Sequence, residues 1–197
     1  MNYLAHIFLS KDHIEYQLGN LLADPLKGKA WADSHPLLLE GMKMHKTIDK
    51  FTDRHPLVKQ SKSRLKHKGY LKGVVIDVVY DYMLSKHWDS YSLTPLKIFI
   101  ETFHHNAIEQ IKTYPKKAHD FVNKIITHDA LLTYGTVEGL ELTFNRIDKR
   151  LSERIRAKES MQDYMGIVIE QLDEIEKDFQ VFFPQLIRHV AHNENHL

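Results

Sequence analysis

Gly73-Val-Val-Ile-Asp77-Val-Val-Tyr-Asp81-Tyr-Met-Leu84 is the stretch that sets the reading of the whole chain. Apolar residues fill nearly every position, and no turn-former follows Gly73. A run this long and this apolar predicts a helix buried on most of its sides. Asp77 and Asp81 lie four apart, so the helix puts both acids on one face, where like charges repel. A buried carboxylate is costly unless it is paired or bound to metal. Two that repel each other ask for a cation, and a divalent metal answers more tightly than Lys or Arg. Structural ion pairs or helix capping are the competing explanation.

The same periodicity continues outward in both directions. The chain has 197 residues with 8 Gly and 6 Pro, too few turn-formers for many short strands. Apolar spacing of three and four predicts an all-α fold. A first helix is expected from Ile14 to Leu22, stopping near Pro25. A second starts at Pro36 and runs to about Asp53, and a third starts at Pro56. The Asp77 helix is expected from Tyr70 to about His87. Thr94-Pro95 reads as a cap and first-turn proline. Pro115, Thr127 and Thr136 each read as a helix start. Ser160 with Asp163 resembles a capping box for a long last helix that ends near Pro184. No Gly/Ser linker, low-complexity tract or internal repeat interrupts the pattern. One helical domain over residues 1–197 is the expectation.

Composition excludes several functions. There is no Cys, which removes disulfides, thiolate zinc sites and cysteine nucleophiles. The formal net charge of +1 excludes a polyelectrolyte binder. The apolar start is short, lacks a basic front region and is interrupted by His6, so no signal peptide is read there. No run reaches the length of a membrane span. A soluble, cytoplasmic protein is expected. Phosphate-cradling, dinucleotide-binding and serine-elbow motifs are all missing.

His is abundant, at 14, and the question is which of these sit in the core. In His45-Lys-Thr-Ile-Asp49-Lys-Phe-Thr-Asp53 the three ionisable residues step along one helical stripe. His nitrogen with carboxylate oxygen suits Mn, Fe, Zn or Mg. On a charged helix the same pair also serves as a surface hydrogen bond. Asp24 closes an apolar stretch before Pro25, although the negative end of a helix disfavours an acid there. His6 stands inside Leu4-Ala-His-Ile-Phe-Leu9, as a ligand or as a hydrogen-bonded core residue. His119-Asp120 and His128-Asp129 have polar flanks and read as surface or capping positions.

Charge is uneven along the chain. Arg54 to Lys72 carries seven basic residues and no acid, whereas Glu159 to Asp178 carries seven acids and one Lys. These are either two solvated faces that offset each other or a basic docking surface for an acidic partner. No aromatic interleaving supports nucleic-acid binding.

Four blocks in order carry a resemblance. They are Met1-Asn-Tyr-Leu-Ala-His-Ile-Phe-Leu9, Leu18-Gly-Asn-Leu-Leu-Ala-Asp24, His45 to Pro56, and Asp77-Val-Val-Tyr-Asp81-Tyr-Met-Leu-Ser-Lys-His87-Trp88. Together they resemble the acyl carrier protein phosphodiesterase family, with Phe182-Phe-Pro184 as a further echo. The resemblance implies an all-helical fold similar to HD-type phosphohydrolases. It implies a divalent metal, usually Mn²⁺. The implied partner is holo acyl carrier protein of fatty acid biosynthesis, from which 4′-phosphopantetheine is hydrolysed. It places family positions on Asp24, His45, Asp77 and Asp81. A contiguous His-Asp is missing at Met44-His45-Lys46, and either Asp49 or Asp24 fills the gap. The expected metal ligands are therefore drawn from His6, Asp24, His45, Asp49, Asp77 and Asp81. Asp24 and Asp81 are also candidates to orient or deprotonate water. Arg54 or Lys46 is expected to offset charge on the phosphate. An acidic carrier would suit Lys59, Lys62, Arg64, Lys66 and Lys68. The alternatives are a phosphohydrolase of a small phosphoester or nucleotide, and a non-catalytic helical protein that binds an acidic partner.

Overall fold

A computed structural model describes residues 1–66 and 69–194. Lys68 lies outside the described residues. Eleven α-helices and no strand occur among those described. They are α1 Tyr3–Phe8, α2 Ile14–Leu22, α3 Pro36–Arg54, α4 Pro56–Arg64, α5 Lys72–Lys86, α6 Leu96–Ile111, α7 Lys116–Thr127, α8 Val137–Asp148, α9 Glu153–Arg156, α10 Met165–Glu170 and α11 Leu172–Glu194. Among the described residues no helix is long and apolar enough to cross a membrane.

The apolar stretch around Asp77 is the central helix. In α5, Val75, Ile76 and every residue from Val78 to Leu84 are buried. One apolar core joins it to all the long helices, from Met1 to Val190. α1 lies between α2 and α5, α11 lies along α4, α3 and α5, and α8 closes on α5. α2 and α3 make the most extensive helix pair. Their contact is close because both carry glycine at the crossing. A Cβ on Gly19 would stand 2.1 Å from the Leu38 carbonyl oxygen, and one on Gly41 would stand 2.1 Å from that of Tyr16.

Histidine opens three helices. Nδ1 of His13, His35 and His55 accepts a hydrogen bond from the backbone N–H of Glu15, Leu37 and Leu57 at 3.3, 3.1 and 3.3 Å. Pro36 and Pro56 follow at the first turn, where no N–H is missed. Thr136 caps α8 through Gly139 N–H at 3.0 Å. Ser160 and Asp163 exchange reciprocal bonds of 2.8 and 3.3 Å.

Several expected boundaries need correction. α1 was not expected as a helix: its six residues are too few to show a period. Thr127 ends α7 and does not start a helix. Pro95 is itself the cap position of α6. The long last helix is broken into a 3₁₀ turn, α10 and α11. Pro184 lies inside α11, where buried Phe182, Phe183 and Leu186 hold the helix across the missing N–H.

The basic and acidic segments meet. Arg64 grips buried Asp178 with two nitrogens, at 2.9 and 3.3 Å, and reaches Glu174 at 3.5 Å. Lys66 pairs with Glu170 at 3.0 Å. Lys62 turns to Asp53 at 3.1 Å.

Candidate metal centre

Two of the histidines with described side chains are buried, His6 at 2% and His45 at 6% exposure. They come from helices that the sequence separates by almost forty residues, and they stack. Their ring centroids are 4.0 Å apart and the planes differ by 17°. Asn20, fully buried on α2, orients both. Its backbone carbonyl accepts from Nδ1 of His45 at 2.8 Å. Its side-chain oxygen meets Nδ1 of His6 at 2.8 Å. Its side-chain nitrogen is spent on the His6 carbonyl and on Ser10, both at 3.0 Å. These acceptors fix the proton of each neutral ring on Nδ1.

That leaves Nε2 of both rings as a lone pair. Both Nε2 atoms are buried without a well-formed hydrogen bond. Each faces Asp49, one helical turn beyond His45, at 3.3 Å from His6 and 3.0 Å from His45. His6, His45 and Asp49 offer ligand atoms that all lie within 4.8 Å of one another. Asp24 adds a fourth group, 3.3 Å from His45 Nε2. Its side chain is 82% exposed, so the centre is open on that side. The backbone that brings Asp24 there leaves α2 in a tight turn with positive φ at Lys27 and Gly28.

The electrostatics separate the two rings. Burial lowers the pKa of His6. Burial also acts to lower that of His45, but Asp24 and Asp49 outweigh it and raise the value to about 9. Burial works to raise Asp49, yet the two histidines hold it well below the usual carboxylate range. Asp24 is lowered, chiefly by its hydrogen bond to His45. Two acceptor nitrogens aimed at a carboxylate are satisfied by added protons or by a cation. Nitrogen and oxygen donors with one open side fit a divalent ion of the Mn, Fe or Zn kind.

The paired acids of α5 are placed otherwise. Asp77 bonds the amino group of Met1 at 3.0 Å, and that group stands 3.8 Å from Asp49. Asp81 is fully buried and receives the backbone N–H groups of Asn2, Leu4 and Ala5 at 3.3, 2.7 and 3.4 Å. It therefore closes the exposed donors at the start of α1. Burial pushes it up to about 7, against the pull of the Met1 amino group and those donors. Asp77 and Asp81 thus border the cluster without joining the ligand atoms of His6, His45 and Asp49. Asp53 points outward to Lys62. Arg54 is exposed at the end of α3, lining a hollow of about 410 Å³ with Lys50, Phe51, His55 and His189. The Lys46 ammonium stands over Gly28. His119-Asp120 lies on the outer face of α7, and His128 and Asp129 are exposed at its end. Asn20 was visible only as part of a quoted block. Its role could be found by asking what holds a buried histidine ring.

Fold and site together define an all-α protein with a histidine–carboxylate centre open on one side, the layout of a catalytic and not a closed structural site. The chain belongs to the acyl carrier protein phosphodiesterase family, whose model matches residues 1–186. Proteins named acyl carrier protein phosphodiesterase align over 193 residues, which is 97% of this chain and 98% of theirs. Those of Salmonella agona (strain SL483) and Salmonella schwarzengrund (strain CVM19633) are 26% identical, and that of Salmonella paratyphi A (strain ATCC 9150 / SARB42) is 25% identical. No solved structure matches the chain.

Proposed function

We propose that this chain hydrolyses the phosphodiester between 4′-phosphopantetheine and a serine of holo acyl carrier protein, with a divalent metal held by His6, His45 and Asp49 and with Asp24 beside it. The carrying observation is the pair of buried Nε2 lone pairs that converge on Asp49. A non-catalytic helical protein would have no use for two such atoms held in register. Mn²⁺ is the ion we assign, on the family resemblance, and the mixed nitrogen and oxygen donors can hold it. When bound, the ion supplies Lewis-acid charge and a water of lowered pKa. The residues do the rest. Asn20 holds both rings with Nε2 forward. Asp49 charges the inner wall. Asp24, ionised and exposed, stands where it can accept the proton of an attacking water. Asp81 and Asp77 hold the first residues of the chain, and with them His6. We read the site as a divergent form of the HD-type one, in which Asp49 or Asp24 takes the place of an aspartate next to His45. Carrier docking on α4 rests on Lys59, because Lys62, Arg64 and Lys66 are paired with acids. We assign the whole activity to one helical domain acting in the cytoplasm, where carrier proteins of fatty acid biosynthesis work.

Incubation with holo carrier protein and Mn²⁺, read by intact mass, tests this reading. We expect the carrier to lose the 4′-phosphopantetheine mass, and to lose none when Mn²⁺ is chelated. Cleavage that is indifferent to chelation, or no cleavage, would contradict it.

A further inference from the structure

At Pro25, the residue after Asp24, the surface opens into a groove between α7 and the end of α8. A hollow of about 540 Å³ adjoins a smaller one of about 50 Å³, and both are walled by Lys124, Ile125 and Arg150. One side of the groove begins at Pro25, the residue after Asp24. The inner end reaches Asn2 and Tyr3, and Asn2 N–H bonds Asp81 at 3.3 Å. The groove thus borders Pro25, next in sequence to Asp24, and the first residues of the helix that carries His6.

Its walls are cationic. Lys117, Lys124, Arg146 and Arg150 all line it. Among the described residues none of these four has a carboxylate within ion-pair distance, unlike Lys62, Arg64 and Lys66. The acid on the wall is Asp120, which Lys116 at 2.7 Å and His119 at 3.3 Å already engage. Four uncompensated cations on one groove repel each other and hold water, a cost that an anionic ligand removes. The floor is apolar, with Phe121 and Ile125. Tyr3 packs edge-on against Phe121 at 5.7 Å. Tyr3 and Arg150 line the same hollow.

We propose that Arg150, with Lys124, contacts the anionic phosphodiester of the substrate, and that the uncharged arm attached to it lies along Phe121 and Ile125. This rests on the phosphodiesterase reading above. It assigns the charge-offsetting role to Arg150, where the sequence offered Arg54 or Lys46. Arginine suits the task because its planar fork meets two phosphoryl oxygens at once, which lysine does not. Arg150 is exposed, so its removal leaves the core intact.

The test uses Arg150→Ala, Arg150→Lys and Lys124→Ala with two independent readouts. The first is cleavage of holo carrier protein with Mn²⁺. We expect Arg150→Ala to lower kcat/KM by about 100-fold, in the range seen when one donor to developing charge is removed. Arg150→Lys should recover part of the loss, and melting temperature should not move. The second is binding of inorganic phosphate by titration calorimetry without divalent metal. Wild type should bind it, and Arg150→Ala should bind it at least fivefold more weakly. Unchanged kcat/KM in Arg150→Ala overturns the proposal, as does phosphate binding that is absent from wild type or equal in the variant. If wild type leaves the holo carrier uncleaved while phosphate binding still depends on Arg150, the reading of function fails and the anion site stands.

Discussion

Asn20 spends every polar group of its side chain, and its carbonyl, on holding two histidines and their neighbours. Such a residue shows that ligand geometry is set by what stands behind the ligands. Replacing it with Ala frees the His6 ring to turn and leaves its buried Nδ1 without a partner, while the backbone carbonyl still holds His45. We expect Asn20→Ala to weaken Mn²⁺ affinity by about 10–100-fold, measured by calorimetry on the folded variant. Affinity equal to wild type would mean that the His6 ring holds itself. Asp81 acts on a different target, the start of α1. Asp81→Asn keeps the shape but turns one acceptor oxygen into a donor that faces backbone N–H groups. We expect a loss of about 1–3 kcal/mol in stability, read by urea unfolding. Activity should fall with it, because α1 carries His6. A variant of unchanged stability that has lost activity would instead make Asp81 a participant in the chemistry.

Among elements, the α2–α3 pair matters most, because Asn20 and Asp24 come from one side and His45 and Asp49 from the other. Gly19 and Gly41 let the two backbones touch. Gly41→Ala places a methyl against the Tyr16 carbonyl, and backbone has nowhere flexible to yield. We expect a cost of about 1–3 kcal/mol and a weakened metal response, seen as a smaller melting shift with Mn²⁺. A neutral Gly41→Ala would show that the helices can part freely. Much of this level was legible in the sequence. Pro36, Pro56, Thr136 and the Ser160–Asp163 box mark starts that local chemistry dictates. What was not legible came from packing. α1 is too short for a period. Pro184 is a breaker overruled by its aromatic neighbours. Thr127 looked like a cap because the sequence does not say on which side of it the apolar face ends.

At the scale of the molecule, local blocks named the right neighbourhood and left its internal geometry undecided. Asp24, His45 and Asp49 come together with His6. Asp77 and Asp81 sit next to them as supports of the chain's first residues, a relation that depends on contacts across more than seventy positions. The basic segment faces the acidic one, so its charge is largely matched within the fold. Lys117, Lys124, Arg146 and Arg150, which line the groove at Pro25 and have no ion pair among the described residues, come from the part of the chain where the sequence offered least.

In the proposed reaction His6, His45 and Asp49 hold one divalent ion. The most direct measurement is an anomalous difference map from a crystal soaked in Mn²⁺. One strong peak is expected, about 2.0–2.2 Å from Nε2 of both histidines and from an Asp49 oxygen. A peak that lies between Asp77 and Asp81 alone, or no peak at any Mn²⁺ concentration that supports cleavage, would contradict it.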